Sequence, residues 1–247
     1  MSDLLPNRKG SGKKRSWSRP LRIILPDTPH HIIQRGHNRQ TVFVSDDDYN
    51  YYRENLITFK KEFGCKIYAY CLMTNHVHLI VDPGSTPEAL SKLMKRVAGR
   101  HTRYVNKIEN RSGSIWEGRF KSSVISTSEY LPACCRYIEL NPLRAGMVSD
   151  PALYRWSSYH SKVEGRRDAV VDLPPFYNAL GLTVKERQQA YRDYVYSTIP
   201  EGEIKLIEEA LQRGQVTGGD QFRKEISARL GIRLSNKAPG RPRKKNI

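Results

Sequence analysis

The residue types best suited to chemistry lie in two short stretches of the chain. The first is Met73-Thr74-Asn75-His76-Val77-His78-Leu79-Ile80-Val81, two histidines one residue apart inside an apolar run. Side chains on a strand alternate faces, so Val77, Leu79 and Val81 point one way and His76 and His78 the other. Two imidazoles on neighbouring rungs of a rigid sheet can hold a divalent metal, although an isolated His-x-His also suits the solvent face of an amphipathic strand. The second stretch is Tyr137-Ile138-Glu139-Leu140-Asn141. Tyr137 and Asn141 are four apart and share a helix face, where they offer an oxygen nucleophile and an amide-oxygen ligand at one place. Arg119 and Lys121 precede them and Arg144 follows, positive groups that can stabilise charge on a reacting phosphate.

The elements that must position these groups follow from periodicity. His30 to Arg35 is predicted as the first core strand, with Gly36 to Arg39 as a turn. Ser45 caps a helix with an acidic first turn, whose stripe is Tyr49, Tyr52, Leu56, Phe59 and Phe63, and Gly64 ends it. Cys65 to Leu72 and the histidine run form a hairpin. Thr86-Pro87-Glu88 opens a second helix, buried through Leu90, Leu93, Met94, Val97, Tyr104, Val105 and Ile108. Its other side carries Lys92, Lys95, Arg96, Arg100 and Arg103 without an acid between them, a face for phosphates or for solvent. Ser114 to Lys121 leads into an edge strand, Ser122 to Ile125. Ser126-Thr127-Ser128-Glu129 is a capping box for a third helix reaching about Leu140, and Asn141-Pro142 stops it. The order strand, helix, strand, strand, helix, strand, helix gives a ferredoxin-like α+β fold, an antiparallel sheet flanked by helices.

Beyond Val148 the pattern changes to a C-terminal helical extension. Trp156 and Tyr159 suggest a docking segment, and helices are expected from Thr183, from Glu201 to Arg213 and from Asp220 to Leu230. The chain therefore divides into a flexible basic arm (1–22), a domain over 23–148, the extension (149–235) and a basic tail (236–247). Forty-two Lys and Arg against twenty-five Asp and Glu leave a net charge of +17, which favours polyanionic partners and salt-sensitive binding. Cys65, Cys71, Cys134 and Cys135 form no Cys-x-x-Cys pair and are expected as buried thiols in a reducing compartment. With no apolar signal core and no run approaching a membrane span, a soluble cytoplasmic protein is expected, with no membrane partner.

An apolar-flanked His-x-His strand followed by a helix bearing Tyr-x-x-x-Asn resembles the single-tyrosine HUH transposases, and more specifically the REP-associated tyrosine transposases. The resemblance runs from about Pro20 to Val148. It takes in Arg35-Gly36, Cys71-Leu72-Met73-Thr74-Asn75-His76-Val77-His78, Trp116-Glu117-Gly118-Arg119-Phe120 and Tyr137-Ile138-Glu139-Leu140-Asn141-Pro142. It implies the HUH nuclease fold, His76 and His78 as metal ligands with Asn141 completing the site, and Tyr137 as nucleophile. Mg2+ or Mn2+ is implied, although histidine ligation tolerates other ions. It implies a single-stranded DNA partner carrying a repetitive extragenic palindrome hairpin, cleaved and rejoined through a 5′-phosphotyrosine link.

Arg35, Arg39 and the basic second helix are the expected DNA contacts, with Arg119, Lys121 and Arg144 nearer the chemistry. Arg241 and Arg243 flank the core of a minor-groove hook, Gly240-Arg241-Pro242. Tyr130 is the rival nucleophile, but Cys134 rather than an amide lies four residues on. His30, His31, His37 and His101 each have a structural reading. The extension is expected to cover a dimer surface, which favours a monomer over a dimer. Three alternatives stay open: a replication initiator or relaxase, a catalytically silent DNA-binding regulator on the same fold, and a zinc site using Cys65 or Cys71.

Overall fold

The computed structural model describes residues 22–232. Most of the basic arm, the tail and the hook residues Arg241 and Arg243 lie outside them. Strand β1 (His30–Arg35) leads through a 3-10 turn to helix α1 (Asp46–Phe63). The Asp48 carboxylate accepts from the Val44 and Ser45 backbone N–H groups at 2.6 and 2.9 Å, two donors the first helical turn would otherwise leave unpaired. Gly64, at φ +68°, closes the helix in the left-handed conformation. Strands β2 (Lys66–Met73) and β3 (His76–Asp82) form the hairpin, with Met73 opposite His76. Helix α2 (Glu88–Ile108) then crosses to β4 (Lys121–Ile125). The strand order β2-β3-β1-β4, antiparallel at every step, is the ferredoxin-like arrangement.

Register fixes the two faces. Ile32 lies opposite Leu79, and Gln34 opposite Val77; Ile33 lies opposite His78, and Arg35 opposite His76. Leu79, Val77 and Ile32 belong to the face covered by α1 and α2, which pack on each other. Tyr70, in register with Leu79, confirms the side: its hydroxyl bonds Asp168, which is ion-paired to Arg53 of α1. The histidine face is covered instead by α3 (Leu131–Glu139), which packs on β2 and β3.

The third helix departs from expectation at its start. Residues 126–129 do not cap it: the N-cap is Tyr130, and the Glu129 carboxylate accepts from the Gly219 backbone N–H at 3.1 Å. The capping-box spacing was sound, but a partner from a distant segment captured the acid. At the other end Pro142 does interrupt the helix, yet a short helix, α4 (Asn141–Arg144), continues directly.

The extension comprises α5 (Tyr159–Val163), α6 (Pro175–Asn178), α7 (Val184–Tyr196), α8 (Glu203–Arg213), β5 (Val216–Thr217) and α9 (Asp220–Leu230). It completes the sheet. Strand β5 pairs in parallel with β4, Val124 opposite Val216, so β4 is not the edge strand expected. The opposite edge, β2, is covered as well: Leu72 N–H donates to Trp156 O and Asp172 N–H to Ile67 O. Trp156 stacks on Tyr49 at 4.5 Å between centroids, the docking role its sequence position suggested. All four cysteines are buried free thiols. No helix among the described residues is long and apolar enough to cross a membrane.

Candidate active site

The hairpin turn sets up the first histidine. The His76 ring nitrogen Nδ1 meets Asn75 Oδ1 at 2.6 Å, while Asn75 Nδ2 donates to Arg39 O at 3.2 Å. An amide oxygen can only accept, so His76 carries its proton on Nδ1 and leaves an Nε2 lone pair unspent. His78 Nδ1 lies 2.9 Å from Nε2 of His31, which is fully buried on β1. His31, Ile33 and Arg35 share strand parity, so the antiparallel register places them on the histidine face. That parity was the available signal; the purely structural reading of His31 missed it. His30 and His101 do play structural roles, bonding the Leu25 N–H and the Val42 carbonyl.

Burial keeps the row His31, His78, His76 neutral. It lowers the pKa of His31 to about 3 and that of His76 to about 4, the latter with help from the Arg35 charge. Burial, followed by the neighbouring histidines, Arg35 and Arg144, pushes His78 well below its ordinary value. Neutral rings at 5.0 Å between centroids, each with Nδ1 engaged by a protein partner, have the donor chemistry a divalent ion requires. Among the described residues no three His, Cys, Asp or Glu side chains converge on a point, so an ion here would take its remaining ligands from an amide, water or substrate. The same observation leaves the cysteine-based zinc alternative without a ligand set.

Helix α3 brings the tyrosine over this row. The Tyr137 ring lies 5.6 Å from the His31 ring and 5.9 Å from the His78 ring. Asn141 enters the same pocket and donates Nδ2 to the Tyr137 carbonyl at 3.1 Å, leaving its amide oxygen for other use. Arg144 stacks over the Tyr137 ring at 4.8 Å. His76, His78, Tyr137, Asn141, Arg144 and Arg35 thus line one cavity of about 320 Å³.

Glu208 of α8 also lines it, a residue that sequence reasoning did not single out. Tyr137 Oη donates to Glu208 Oε1 at 3.4 Å, and Arg144 Nη2 pairs with the same oxygen at 2.8 Å. Burial raises the Tyr137 pKa, Glu208 raises it further, and Arg144 opposes them. No local pattern marks Glu208, because it lies 71 residues from Tyr137 and α8 reads as an ordinary amphipathic helix.

The remaining cationic candidates separate into two groups. The segment 115–117 is tied to β1: His37 N–H donates to Ile115 O and Glu117 N–H to Arg35 O. Gly36 permits the chain to fold back tightly after β1, since a Cβ there would stand 2.3 Å from the Gln40 carbonyl oxygen. Arg119 and Lys121 consequently line a cavity with Arg35. Arg39 is exposed in the turn beside Asn75. Lys92, Lys95, Arg96, Arg100 and Arg103 are exposed on α2, in the helical layer on the other side of the sheet from Tyr137.

Residues 26–141 match the family described as IS200-like transposases. Among solved structures, a REP-associated tyrosine transposase bound to a REP hairpin is 20% identical, with a TM-score of 0.53, over 63% of this chain and 91% of that one. A candidate transposase from Deinococcus radiodurans is 21% identical over 47% of this chain and 91% of its own, with a TM-score of 0.33. No curated protein matches.

Proposed function

We propose, from the match of residues 26–141 to the IS200-like transposase family, enzymes acting on DNA, that the chain cleaves and rejoins single-stranded DNA through Tyr137. The observation that carries the proposal is the shared cavity: two neutral histidines, a phenol, an amide and a guanidinium meet in about 320 Å³. A divalent cation, Mg2+ or Mn2+, held by His76, His78 and the Asn141 amide oxygen, would offset charge on the scissile phosphate.

The chain's own residues do the rest. Asn75 and His31 fix the two ligand rings. Arg144, released from Glu208, takes a non-bridging phosphate oxygen. Tyr137 Oη forms the new bond to phosphorus as the bond to the 3′ oxygen breaks. The phenol proton passes to solvent, and the departing 3′ oxygen takes one up. The product is a 5′-phosphotyrosine link, which conserves the phosphodiester energy for rejoining. In the resting protein Glu208 occupies the place of the phosphate: it neutralises Arg144 and holds Tyr137 protonated. Glu208 is a poor candidate for general base, since a carboxylate is a far weaker base than the phenolate it would have to generate.

The reading extends to a substrate class: DNA whose cleavage site adjoins a repetitive extragenic palindrome hairpin, encountered in the cytoplasm. Wild-type protein mixed with such oligonucleotides and Mg2+ or Mn2+ should give a denaturation-resistant protein–DNA adduct. Tyr137→Phe should give none, and His76→Ala with His78→Ala should reduce it by at least about a hundredfold. An adduct that survives Tyr137→Phe would overturn the assignment. Tight binding without any adduct would mark the protein as a DNA-binding regulator.

A further inference from the structure

A second cavity, of about 530 Å³, opens beside the catalytic one and shares Ile33, Arg35 and Gln212 with it. Arg22, Arg35, Arg119 and Lys121 supply its charge, while Ile23, Phe120 and Ile232 supply apolar surface. Its second wall is the extension, and Lys121 Nζ donates to Gln212 Oε1 at 2.5 Å across the seam. We infer that this cavity takes an unpaired nucleotide adjoining the scissile phosphate, its phosphate on the arginines and its base against the apolar wall. The inference rests on the single-strand reading above.

Two observations favour that occupant. First, Glu117 is the one acid among the lining residues, so the cations lack internal compensation. Arg22 registers the crowding: burial and then the Arg119 charge lower its pKa. An anion relieves such repulsion. Second, the Arg22 guanidinium is held in place: it lies 3.9 Å over the Phe120 ring, and its Nε donates to the Phe120 carbonyl at 3.0 Å. A guanidinium plane fixed on a ring offers a base a flat cationic surface beside the phosphate contacts. Continuity with the pocket of Tyr137 assigns the nucleotide to the DNA strand rather than to a free nucleotide.

Binding of a dT 12-mer can be compared with that of an equally charged 12-mer lacking every base, by fluorescence anisotropy. Tyr137→Phe protein without divalent metal keeps cleavage out of the measurement. The dT strand should bind about tenfold tighter, because base stacking adds to the phosphate contacts. Ile232→Trp fills the cavity from its exposed rim and should abolish that advantage while sparing the baseless strand. Arg119→Ala should weaken both. Equal binding of the two strands, or a base advantage untouched by Ile232→Trp, would overturn the inference, as would free dTMP competing as well as the oligonucleotide. Covalent trapping by wild-type protein alongside a flat base dependence would sink the cavity alone. A base-dependent cavity without trapping would instead sink the cleavage reading.

Discussion

Glu208 and His31 decide how the reactive groups rest. Glu208 holds both the Tyr137 hydroxyl and the neighbouring guanidinium, so Glu208→Gln should free Arg144 and remove one influence raising the Tyr137 pKa. Adduct formation at neutral pH should then rise roughly two- to fivefold, since a half-exposed ion pair is worth at most about 1 kcal/mol. A fall in initial rate would show that the carboxylate assists the chemistry instead. His30 and His31 make a second prediction. Burial holds their folded pKa values at about 4 and about 3, below the ordinary 6.5. The folded chain therefore refuses protons that the unfolded chain accepts. Stability is complete above pH 6.5 and is lost as pH falls, by up to about 1.4 kcal/mol per pH unit for each group. The urea midpoint should drop between pH 7 and pH 4.5, and His31→Asn should flatten part of that drop.

Helix α3 owes its placement to its neighbours. Glu139 is fully buried, and its carboxylate accepts from Ser158 Oγ, Lys162 Nζ and Tyr191 Oη, all contributed by the extension. Arg136, equally hidden, reaches Glu203 at 2.7 Å. These anchors flank Tyr137 and fix the face it presents. Lys162→Met should therefore strand a buried carboxylate and cost about 3–5 kcal/mol in chemical denaturation, whereas an exposed change such as Lys185→Met should leave stability within about 0.5 kcal/mol. The sheet edges lead to another expectation. Strand β5 pairs with β4 and residues 156–172 cover β2, so among the described residues neither long edge is open, and β5, two residues long, is a poor template for edge-to-edge pairing. Light scattering should report a monomer in the absence of DNA; a stable dimer would require a different surface.

At the scale of the molecule, the extension belongs to the same packed body as the sheet. It supplies a strand, the partners of Glu139 and one wall of each of the two cavities. A chain ending at Val148 should be insoluble or rapidly proteolysed rather than a minimal enzyme, because it leaves Arg136 and Glu139 without their partners. The division into a domain over 23–148 and a separate extension describes the sequence better than the packing. The net charge of +17 is also not spent on one surface. The α2 cations face away from Tyr137, while Arg22, Arg35, Arg119 and Lys121 gather beside it. Oligonucleotide affinity should fall steeply with salt, and removal of Lys95 and Arg96 together should lessen the salt slope without changing the base dependence.

Periodicity and residue spacing were enough to determine the ferredoxin-like succession of elements, the shared face of His76 and His78 and that of Tyr137 and Asn141. Each rests on local rules: alternation along a strand, four-residue spacing on a helix, turn and cap chemistry. Only the tertiary structure decided the partners of those groups. His31 joins the histidine row through cross-strand register, β4 gains a neighbour from 92 residues further along, and Glu208 reaches Tyr137 across 71. Contacts at such separations arise from how the extension buries its apolar faces against the sheet, and no local pattern encodes which polar side chain that burial carries into the site.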